Sequence, residues 1–343
     1  MNTRHVVLLT YGEPPSAAFG AQLKYSWRIL LGLTRSVAPI PLPVLPIIAL
    51  SRARFRRKLW SDERYTSPLE PITRAQAEGL TGALRAEAPE VDWRVHVAYE
   101  FRDPLLTDFI ATLPGGEPVD IVPMYLANSA FTHELSRRTI AQWNRTRGKG
   151  RGAPVRVLPP LDEEVLAALG ARHVLRQLEA RGIRPGADRA LVLAAHGTLL
   201  EPPRPIETGR GPTECVAAGI TAALRSHFGM IQIGWLNHVY GGQWTEPAAD
   251  VALRMVTEAG FRSVIYYPFG FLADNAESEL EGRIALRTQP GLAATHLACM
   301  NASPDLMAAL ARQVAAEAGA GGREARGEPA ARERRAAGAG GSD

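Results

Sequence analysis

The sequence predicts an α/β fold of two similar Rossmann-like halves, each a mainly parallel four-stranded sheet flanked by helices, with an active-site cleft between them. Short apolar or β-branched runs recur along the 343 residues and end at glycine, proline or polar residues. Helical patterns separate these runs, and the later series of runs is spaced like the earlier one. Strands that alternate with helices form βαβ units, which build parallel sheets.

Each half contains four candidate strands. In the first half, residues 1–165, they are HVVLLTY (5–11), WRVHVAY (93–99), VDIVPMY (119–125) and the weaker PVRVLP (154–159). In the second half, residues 166–317, they are ALVLAAH (190–196), IQIGWL (231–236), SVIYYPF (263–269) and ATHLACM (294–300). Residues 318–343 lack apolar periodicity, so the sequence predicts a disordered tail.

An apolar and basic lip, residues 36–60, lies between the first two candidate strands. SVAPIPLPVLPIIAL (36–50) carries four prolines that would break a helix, and it is too short to span a bilayer. Five cations within seven residues follow it. This pairing fits either a peripheral membrane contact through residues 36–58 or a loop packed on its own domain, and the sequence favours neither.

Composition and missing motifs exclude several classes of protein. The net charge of +4 includes several arginines of the tail, so no nucleic-acid partner is expected. Cys215 and Cys299 cannot form a four-thiolate iron–sulfur cluster, and they fit a reducing cytoplasm. The apolar run near the N-terminus is too short for a signal peptide. GEPPS and HGTLL lack the glycine spacing of a dinucleotide site, and neither a zinc-protease helix nor a nucleophile elbow is present.

Candidate site residues follow from the rule that ligands bind outside the carboxyl ends of parallel strands. Tyr11 and His196 stand at the ends of the first strands of the two halves. Asp274 is the expected N-cap of a later helix, on which Glu277 and Glu281 share one face. A lone histidine is more often a structural residue, and capping alone would explain Glu277. A sparse set of nitrogen and oxygen ligands instead suits a metal that is handed on.

Six collinear segments resemble ferrochelatases over roughly residues 4–315. They are VVLLTYGEPP, YTSPLEPITRAQAEGL, VDIVPMYLANSAFTHE, LVLAAHGTLLE, YGGQWTEPAADVALRMVTEAGFRSVIYYPFGFLADNAESELE and LACMNASPD. The resemblance implies two chelatase-type halves and insertion of ferrous iron into protoporphyrin IX or coproporphyrin III in haem biosynthesis. It implies no cofactor beyond the substrate iron, and we expect a cytoplasmic monomer, with peripheral contact to the inner face of the membrane left open.

The resemblance also implies roles for individual residues. His196 is the expected pyrrole proton acceptor or metal contact, and Glu277 with Glu281 would relay protons or bring the metal in. Tyr11 would be an axial ligand, which favours coproporphyrin, although a strand-end tyrosine can simply pack its ring. The expected substrate-binding residues are Tyr11, Ser67, Ser129, Thr132 and Trp244, while hydroxyls at such positions are also common in turns and caps. Basic residues of the lip, Arg52, Arg54, Arg56 and Arg57, could attract propionates or anionic lipid.

Several positions depart from the family pattern. Asn275 replaces the usual histidine two residues before the cleft glutamate, so that branch of the proton or metal path is expected to be lost. Arg64, Tyr65 and Thr66 replace the usual glycines and could fill part of the entrance. His238 and Tyr240 could substitute for missing polar groups. A chelatase for another metal or tetrapyrrole, and a porphyrin carrier without turnover, therefore remain alternatives.

Overall fold

The two predicted sheets are present in the computed structural model, which describes residues 2–37, 40–147, 155–236 and 242–324. The first sheet has the order β2–β1–β3–β4, with β1 Asn2–Thr10, β2 Val91–Tyr99, β3 Val119–Pro123 and β4 Val155–Val157. The second has the order β6–β5–β7–β8, with β5 Gly186–His196, β6 Phe228–Leu236, β7 Ser263–Tyr267 and β8 Ala293–His296. Every neighbouring pair is parallel. The predicted fold class is confirmed.

Helices cover both sheets. They are α1 Phe19–Ser36, α2 Leu45–Asp62, α3 Leu69–Glu87, α4 Leu106–Ile110, α5 His133–Arg147, α6 Glu163–Ala180, α7 Arg210–Leu224, α8 Ala249–Glu258, α9 Gly282–Arg287 and α10 Pro304–Glu324. A short 3-10 helix at Leu42–Val44 precedes α2, and a π-helix at Ala276–Glu281 leads directly into α9. The chain thus repeats strand and helix in the order that the sequence patterns predict.

A single hydrophobic core joins the two halves. Val6 and Leu8 of β1 belong to the same buried cluster as Leu191 and Leu193 of β5, and each is at most 1% exposed. Burial on this scale contributes about 1.5–3 kcal/mol for each such side chain. Each sheet therefore depends on the other half for part of its stability.

The last helix extends past one sequence-based boundary. α10 runs to Glu324, seven residues into the segment predicted to be a disordered tail, and residues 325–343 lie outside the described residues. It packs on α3 of the first half, and Asp305 near its start pairs with Arg176 of α6 in the second half over 2.7 Å. Arg4 and Arg156 donate hydrogen bonds to the carbonyl oxygens of Ala318 and Glu317, each 3.0 Å long, which explains why the helix continues.

Most of the lip is helical rather than a loop, and its helix α2 packs on α1. Three of its four prolines precede α2, and Pro46 lies in the first turn of α2, where a missing N–H costs no helical bond. Leu30 of α1 packs against Leu45 and Ala49 of α2. The outward side of α2 stays uncovered. None of the helices in the described part of the chain combines the length and apolar composition that a bilayer crossing needs.

Candidate functional site

The carboxyl edges of the two sheets face each other. Glu13, shortly after β1, contacts the backbone of Ala276 in the π-helix that follows β7. The backbone N–H of Ala130, after β3, donates to Glu207, after β5, over 2.8 Å. Loops from the ends of both sheets therefore meet where the parallel-strand rule places a ligand site.

His196 is the last residue of β5 and points into this region, with half of its side chain exposed. The loop after β7 crosses closely over it. A Cβ atom on Gly270 would come within 2.7 Å of the Cα atom of Ala195, so only glycine permits this approach. The close crossing brings the π-helix beside His196.

His196 and Glu277 form a hydrogen-bonded pair, with 2.7 Å between Nδ1 and Oε1. When Glu277 is ionised, Nδ1 carries the hydrogen of this bond, and Nε2 is the nitrogen that offers a lone pair to a ligand. Burial lowers the pKa of His196, but the charge of Glu277 and its hydrogen bond outweigh burial and hold the pKa above its usual value. The pair is a base whose tautomer and orientation are set by a carboxylate.

Glu281 is the second acid of the π-helix. Burial, and then the charge of Glu277, raise the pKa of Glu281 well above that of an ordinary glutamate. Arg56 and His196 act in the opposite direction on the same carboxyl group. Glu281 therefore favours its protonated form more than a surface glutamate does, and it responds to charges on both halves of the protein.

The cap of this helix is Asn275, which corrects the prediction of Asp274. The Asn275 Oδ1 atom accepts from the backbone N–H groups of Glu277 and Ser278, at 2.9 and 3.1 Å. Asp274 is unavailable because it accepts from the backbone N–H of Cys299 and the side-chain amide of Asn301. Asparagine at this position thus has a structural role in starting the acid-bearing helix.

Glu13 is a residue of the site that the sequence analysis missed. It is 8% exposed, and its carboxylate accepts from the Ser67 hydroxyl at 2.7 Å and from the Ala276 N–H at 3.0 and 3.2 Å. Burial raises the pKa of Glu13, opposed by the charge of Arg56 and by these hydrogen bonds. Its sequence signal is an acidic residue directly after the glycine that ends the first strand region.

The predicted substrate role of Ser67 is not supported by these contacts. Its hydroxyl is buried and bonded to Glu13, and it also accepts from the backbone N–H of Leu69 at the start of α3. The Ser67 hydroxyl therefore links Glu13 to the backbone at the start of α3. The sequence did not reveal this because its partner lies 54 residues away.

Ser129 and Thr132 occupy one turn of the loop after β3. The Thr132 hydroxyl accepts from the Ser129 N–H at 2.7 Å and donates to the carbonyl oxygen of Ala127 at 2.9 Å. The Ser129 hydroxyl lies 3.0 Å from that of Thr132. Both are half-buried and hold this turn together, and their substrate-binding role stays a prediction.

Tyr11 lies under the same loop in an aromatic cluster. Its hydroxyl donates to the carbonyl oxygen of Phe131 over 3.2 Å, and its ring centroid is 4.6 Å from that of Tyr125 and 5.8 Å from that of Phe101. Burial, and then the nearby Tyr25, Glu277 and Glu100, raise the pKa of Tyr11 well above its usual value. Tyr11 is therefore a neutral phenol at ordinary pH.

Trp244 lies next to the segment that follows His196. It forms an antiparallel bridge with Leu199, and the Thr245 N–H donates to the carbonyl oxygen of Thr198 over 2.9 Å. Its side chain is half-buried. His238 and Tyr240, which the sequence suggested as additional polar groups here, lie outside the described residues.

The four arginines of the lip divide between two sides of α2. Arg54 and Arg57 are exposed, whereas Arg52 and Arg56 face inward. Arg56 donates to the side-chain oxygen of Gln22 at 3.0 Å and lies over the rings of Tyr25 and Trp60. Burial, and then Arg56, lower the pKa of Arg52, whose charge is also felt by His196.

The turn after α2 explains the residues that replace the usual glycines. Arg64 has φ 48°, the left-handed conformation, and its N–H donates to the carbonyl oxygen of Ser61. The Tyr65 N–H donates to that of Trp60, which completes a Schellman helix end. Tyr65 is 6% exposed and packs with Trp60, Ala276 and Leu280. Tyr65 thus fills the contact between the lip and the π-helix.

The predicted metal residues do not form a closed cage. Among residues 2–37, 40–147, 155–236 and 242–324, no group of three or more His, Cys, Asp or Glu side chains is arranged to hold a metal ion. His196 and Glu277 instead form a hydrogen bond with each other. The charge of Glu277 helps to raise the pKa of Glu281 and of Tyr11.

Known structures of related architecture support the fold. The structure described as CbiX, the terminal enzyme for biosynthesis of siroheme in denitrifying bacteria, aligns with a TM-score of 0.53 and 19% identity, covering 91% of this chain and 99% of that one. SirB from Bacillus subtilis with Fe3+ aligns with a TM-score of 0.50 and 11% identity, covering 92% and 94%. At these identities the likeness concerns the fold alone.

Sequence comparisons are more specific. A ferrochelatase of Mesorhizobium japonicum is 27% identical over 336 residues, which cover 91% of this chain and 90% of that protein. A ferrochelatase of Nitrobacter hamburgensis is 29% identical over 237 residues, which cover 66% of this chain and 64% of the relative's length. The ferrochelatase family model matches residues 4–318. This match spans both sheets and the site between them, and the chain belongs to the ferrochelatase family.

Proposed function

We propose that this chain inserts ferrous iron into a porphyrin to make haem or coprohaem in haem biosynthesis. The observation that carries the proposal is the His196–Glu277 pair, 2.7 Å apart at the facing edges of the two sheets. Membership of the ferrochelatase family supports the same reaction. Iron is a substrate here, and we propose no resident cofactor and no iron–sulfur cluster.

The reaction exchanges two pyrrole protons for one Fe2+ ion, so the site must accept protons close to the macrocycle. In our proposal His196 Nε2 accepts a pyrrole proton, and the Glu277 carboxylate stabilises the imidazolium that forms. His196 then passes this proton through Glu277 and Glu281 to solvent and accepts the second pyrrole proton, because the like charges of the two carboxylates favour keeping one of them protonated. Both acids attract the incoming cation as water leaves it.

Tyr11 supports a preference for coproporphyrin within this proposal. It follows β1 on the first-half side of the site, and breaking its hydrogen bond to the Phe131 carbonyl would free its oxygen for an axial contact with iron. The inward Arg52 has a buried Nε atom without a hydrogen-bond partner in the described part of the chain, which suits an anionic substituent of the porphyrin. Because one chain supplies both sides of the site, we propose a monomer.

The test is anaerobic incubation of the protein with ferrous iron and, separately, protoporphyrin IX and coproporphyrin III, followed by absorbance. We expect metallation, faster with coproporphyrin III, and we expect His196→Ala to abolish turnover while porphyrin still binds. His227→Ala, which changes a histidine at the end of α7, is the matched control. Tight porphyrin binding without metallation would instead identify a carrier, and turnover with only another metal or tetrapyrrole would identify a divergent chelatase.

We also propose that the lip contacts the inner face of the membrane, with the protein otherwise cytoplasmic. Leu42, Ile47 and Phe55 are between 67% and 70% exposed, and Arg54 and Arg57 are exposed on the same helix as the last two. An open apolar groove of about 610 Å³ adjoins them between α1 and α2, lined by residues that include Leu23, Trp27 and Leu50. Apolar side chains beside cations are typical of interfacial helices.

Flotation with liposomes tests this contact. We expect binding to vesicles that contain anionic lipid and weaker binding to neutral vesicles, because the cations add about 1 kcal/mol each near an anionic surface. The double variant Ile47→Ser, Phe55→Ser should lose binding and retain metallation, whereas Val165→Ser, at an exposed residue of α6, should behave like wild type. Equal flotation of the double variant would refute the membrane contact.

A further inference from the structure

We propose that Glu13 is a positioning residue for the acid-bearing π-helix: a carboxylate of the first half fixes where Glu277 and Glu281 of the second half stand. The catalytic consequence rests on the proposed function, while the positioning itself rests on contacts. Glu13 touches no reacting atom in this proposal. It acts through the backbone of the residue that precedes Glu277.

The chain aims Glu13 inward by a tight turn. Gly12 has φ +75°, and a Cβ atom there would come within 2.6 Å of the Cβ of Tyr99, so the turn requires glycine. Arg102 holds the next peptide by donating to the carbonyl oxygen of Glu13 over 3.3 Å. The glutamate is thereby held two residues beyond Tyr11, with its carboxylate buried against the opposite half.

The first amides of the π-helix show why this carboxylate is needed. The N–H groups of Glu277 and Ser278 are satisfied by the Asn275 side chain, and that of Glu279 by the Asn275 carbonyl oxygen. The remaining N–H, that of Ala276, donates to both oxygens of Glu13. A buried N–H without an acceptor is unfavourable, so Glu13 completes the start of the helix from outside its own half.

Charge and packing make this contact specific. The negative carboxylate lies at the positive end of the helix, and Arg56 Nη2 lies 4.0 Å from its Oε1 atom. Around it, Trp60 and Tyr65 of the first half pack against Ala276 and Leu280 of the π-helix. Glu13 is thus a charged acceptor in a largely apolar contact, and its directional hydrogen bonds fix the position of the helix more closely than apolar packing does.

The position of Ala276 determines where Glu277, the next residue, meets His196. Glu277 directly follows Ala276, and its carboxylate must stay within hydrogen-bond reach of His196 Nδ1, now 2.7 Å away. A shift of about 1 Å in a catalytic group can cost on the order of a hundredfold in rate. Loss of the Glu13 contact should therefore lower kcat and leave the KM for porphyrin nearly unchanged.

Three variants test the acceptor. Glu13→Gln keeps an oxygen acceptor, and Glu13→Met keeps the length of the side chain without one. We expect Glu13→Gln to retain most of kcat and Glu13→Met to lose about tenfold to a hundredfold. The matched control is Glu63→Met, which removes a glutamate bonded to Arg287 after the π-helix and should leave kcat unchanged.

A fourth variant removes the donor instead of the acceptor. Ala276→Pro deletes the N–H at the first helical position, which tolerates proline, and Asn275 already has the extended backbone that precedes proline, with φ −152° and ψ 179°. We expect the same loss of kcat as in Glu13→Met. The double variant should be no worse than either single one, because both remove one bond.

Hydrogen exchange of the amides 276–278 in metal-free protein gives a readout that needs no turnover. Exchange should accelerate in Glu13→Met and stay near wild type in Glu13→Gln. If wild type does not metallate porphyrin, the proposed function fails while this result still supports the positioning. Three results would overturn the inference. They are amide exchange in Glu13→Met as slow as in wild type, a double variant whose loss of kcat is the product of the two single losses, and the same loss of kcat in Glu13→Gln and Glu13→Met.

Discussion

Replacing Glu277 by glutamine tests the central pair most directly. Glu277→Gln keeps the size of the side chain and an oxygen opposite His196 Nδ1, but it removes the negative charge. That charge is what holds the pKa of His196 above its usual value against the effect of burial. The variant should therefore have a weaker base and a less stabilised imidazolium, in an otherwise unchanged fold.

The expected magnitude follows from exposure. A hydrogen bond to a charged group contributes about 1.5–3 kcal/mol, and the lower end applies here because half of the His196 side chain is exposed and screened. A loss of about 1.4 kcal/mol from transition-state stabilisation is tenfold in rate. We therefore expect kcat to fall about tenfold, and further if Glu277 also contacts the metal.

The pH dependence of kcat tests the same pair independently. His196 accepts a proton only in its neutral form, so activity is lost as pH falls through its pKa. Because Glu277→Gln lowers that pKa, the acid limb of the kcat profile should move to lower pH. Steady-state metallation across pH, with an NMR titration of His196 in metal-free protein, measures both effects. An unchanged kcat with an unchanged acid limb would refute the role of the pair.

Three further predictions concern other parts of the structure. Tyr11→Phe should change the absorption spectrum of the iron-porphyrin product complex because it removes the phenol oxygen, and an unchanged spectrum would return Tyr11 to a packing role. Arg64→Gly should raise the free energy of unfolding by about 1 kcal/mol, since glycine adopts the left-handed conformation without strain; an unchanged urea midpoint would contradict this. Asp120→Ala should lower it by about 3 kcal/mol, because buried Asp120 bonds both Arg4 and Arg156; a midpoint equal to that of wild type would show that the arginines find other partners.

The parts of the fold that depend on local patterns were predictable. All eight strands are present because apolar runs bounded by turn residues report burial over a few neighbouring positions. His196 and Glu277 were found by strand-end position and family resemblance, and they lie in contact. The lip shows why counting prolines misled the prediction. A proline breaks a helix only where the helix would use its N–H group, and the prolines here lie before α2 or in its first turn.

Contacts between distant residues were not predictable in the same way. Glu13 and Ala276 are separated by 263 positions, and the sequence around one gives no indication of a contact with the other. Asp274 and Asn275 are equally good caps in sequence, and the bonds of Asp274 to the Cys299 N–H and the Asn301 side chain decide between them. The inward and outward sides of α2 likewise depend on distant contacts, since Arg56 donates to Gln22 of α1, 34 positions away, while Arg54 stays exposed.

The crossing of α10 to the first half has a consequence for biogenesis. During synthesis the first half leaves the ribosome long before the helix that covers α3, so its sheet emerges with apolar surface unprotected. We expect the nascent chain to depend on chaperones until its last turns are made. A chain truncated after residue 317 would lack the Ala318 carbonyl that Arg4 binds. Loss of the end of α10 is therefore felt at the start of the chain, where Arg4 of β1 loses a buried hydrogen-bond partner.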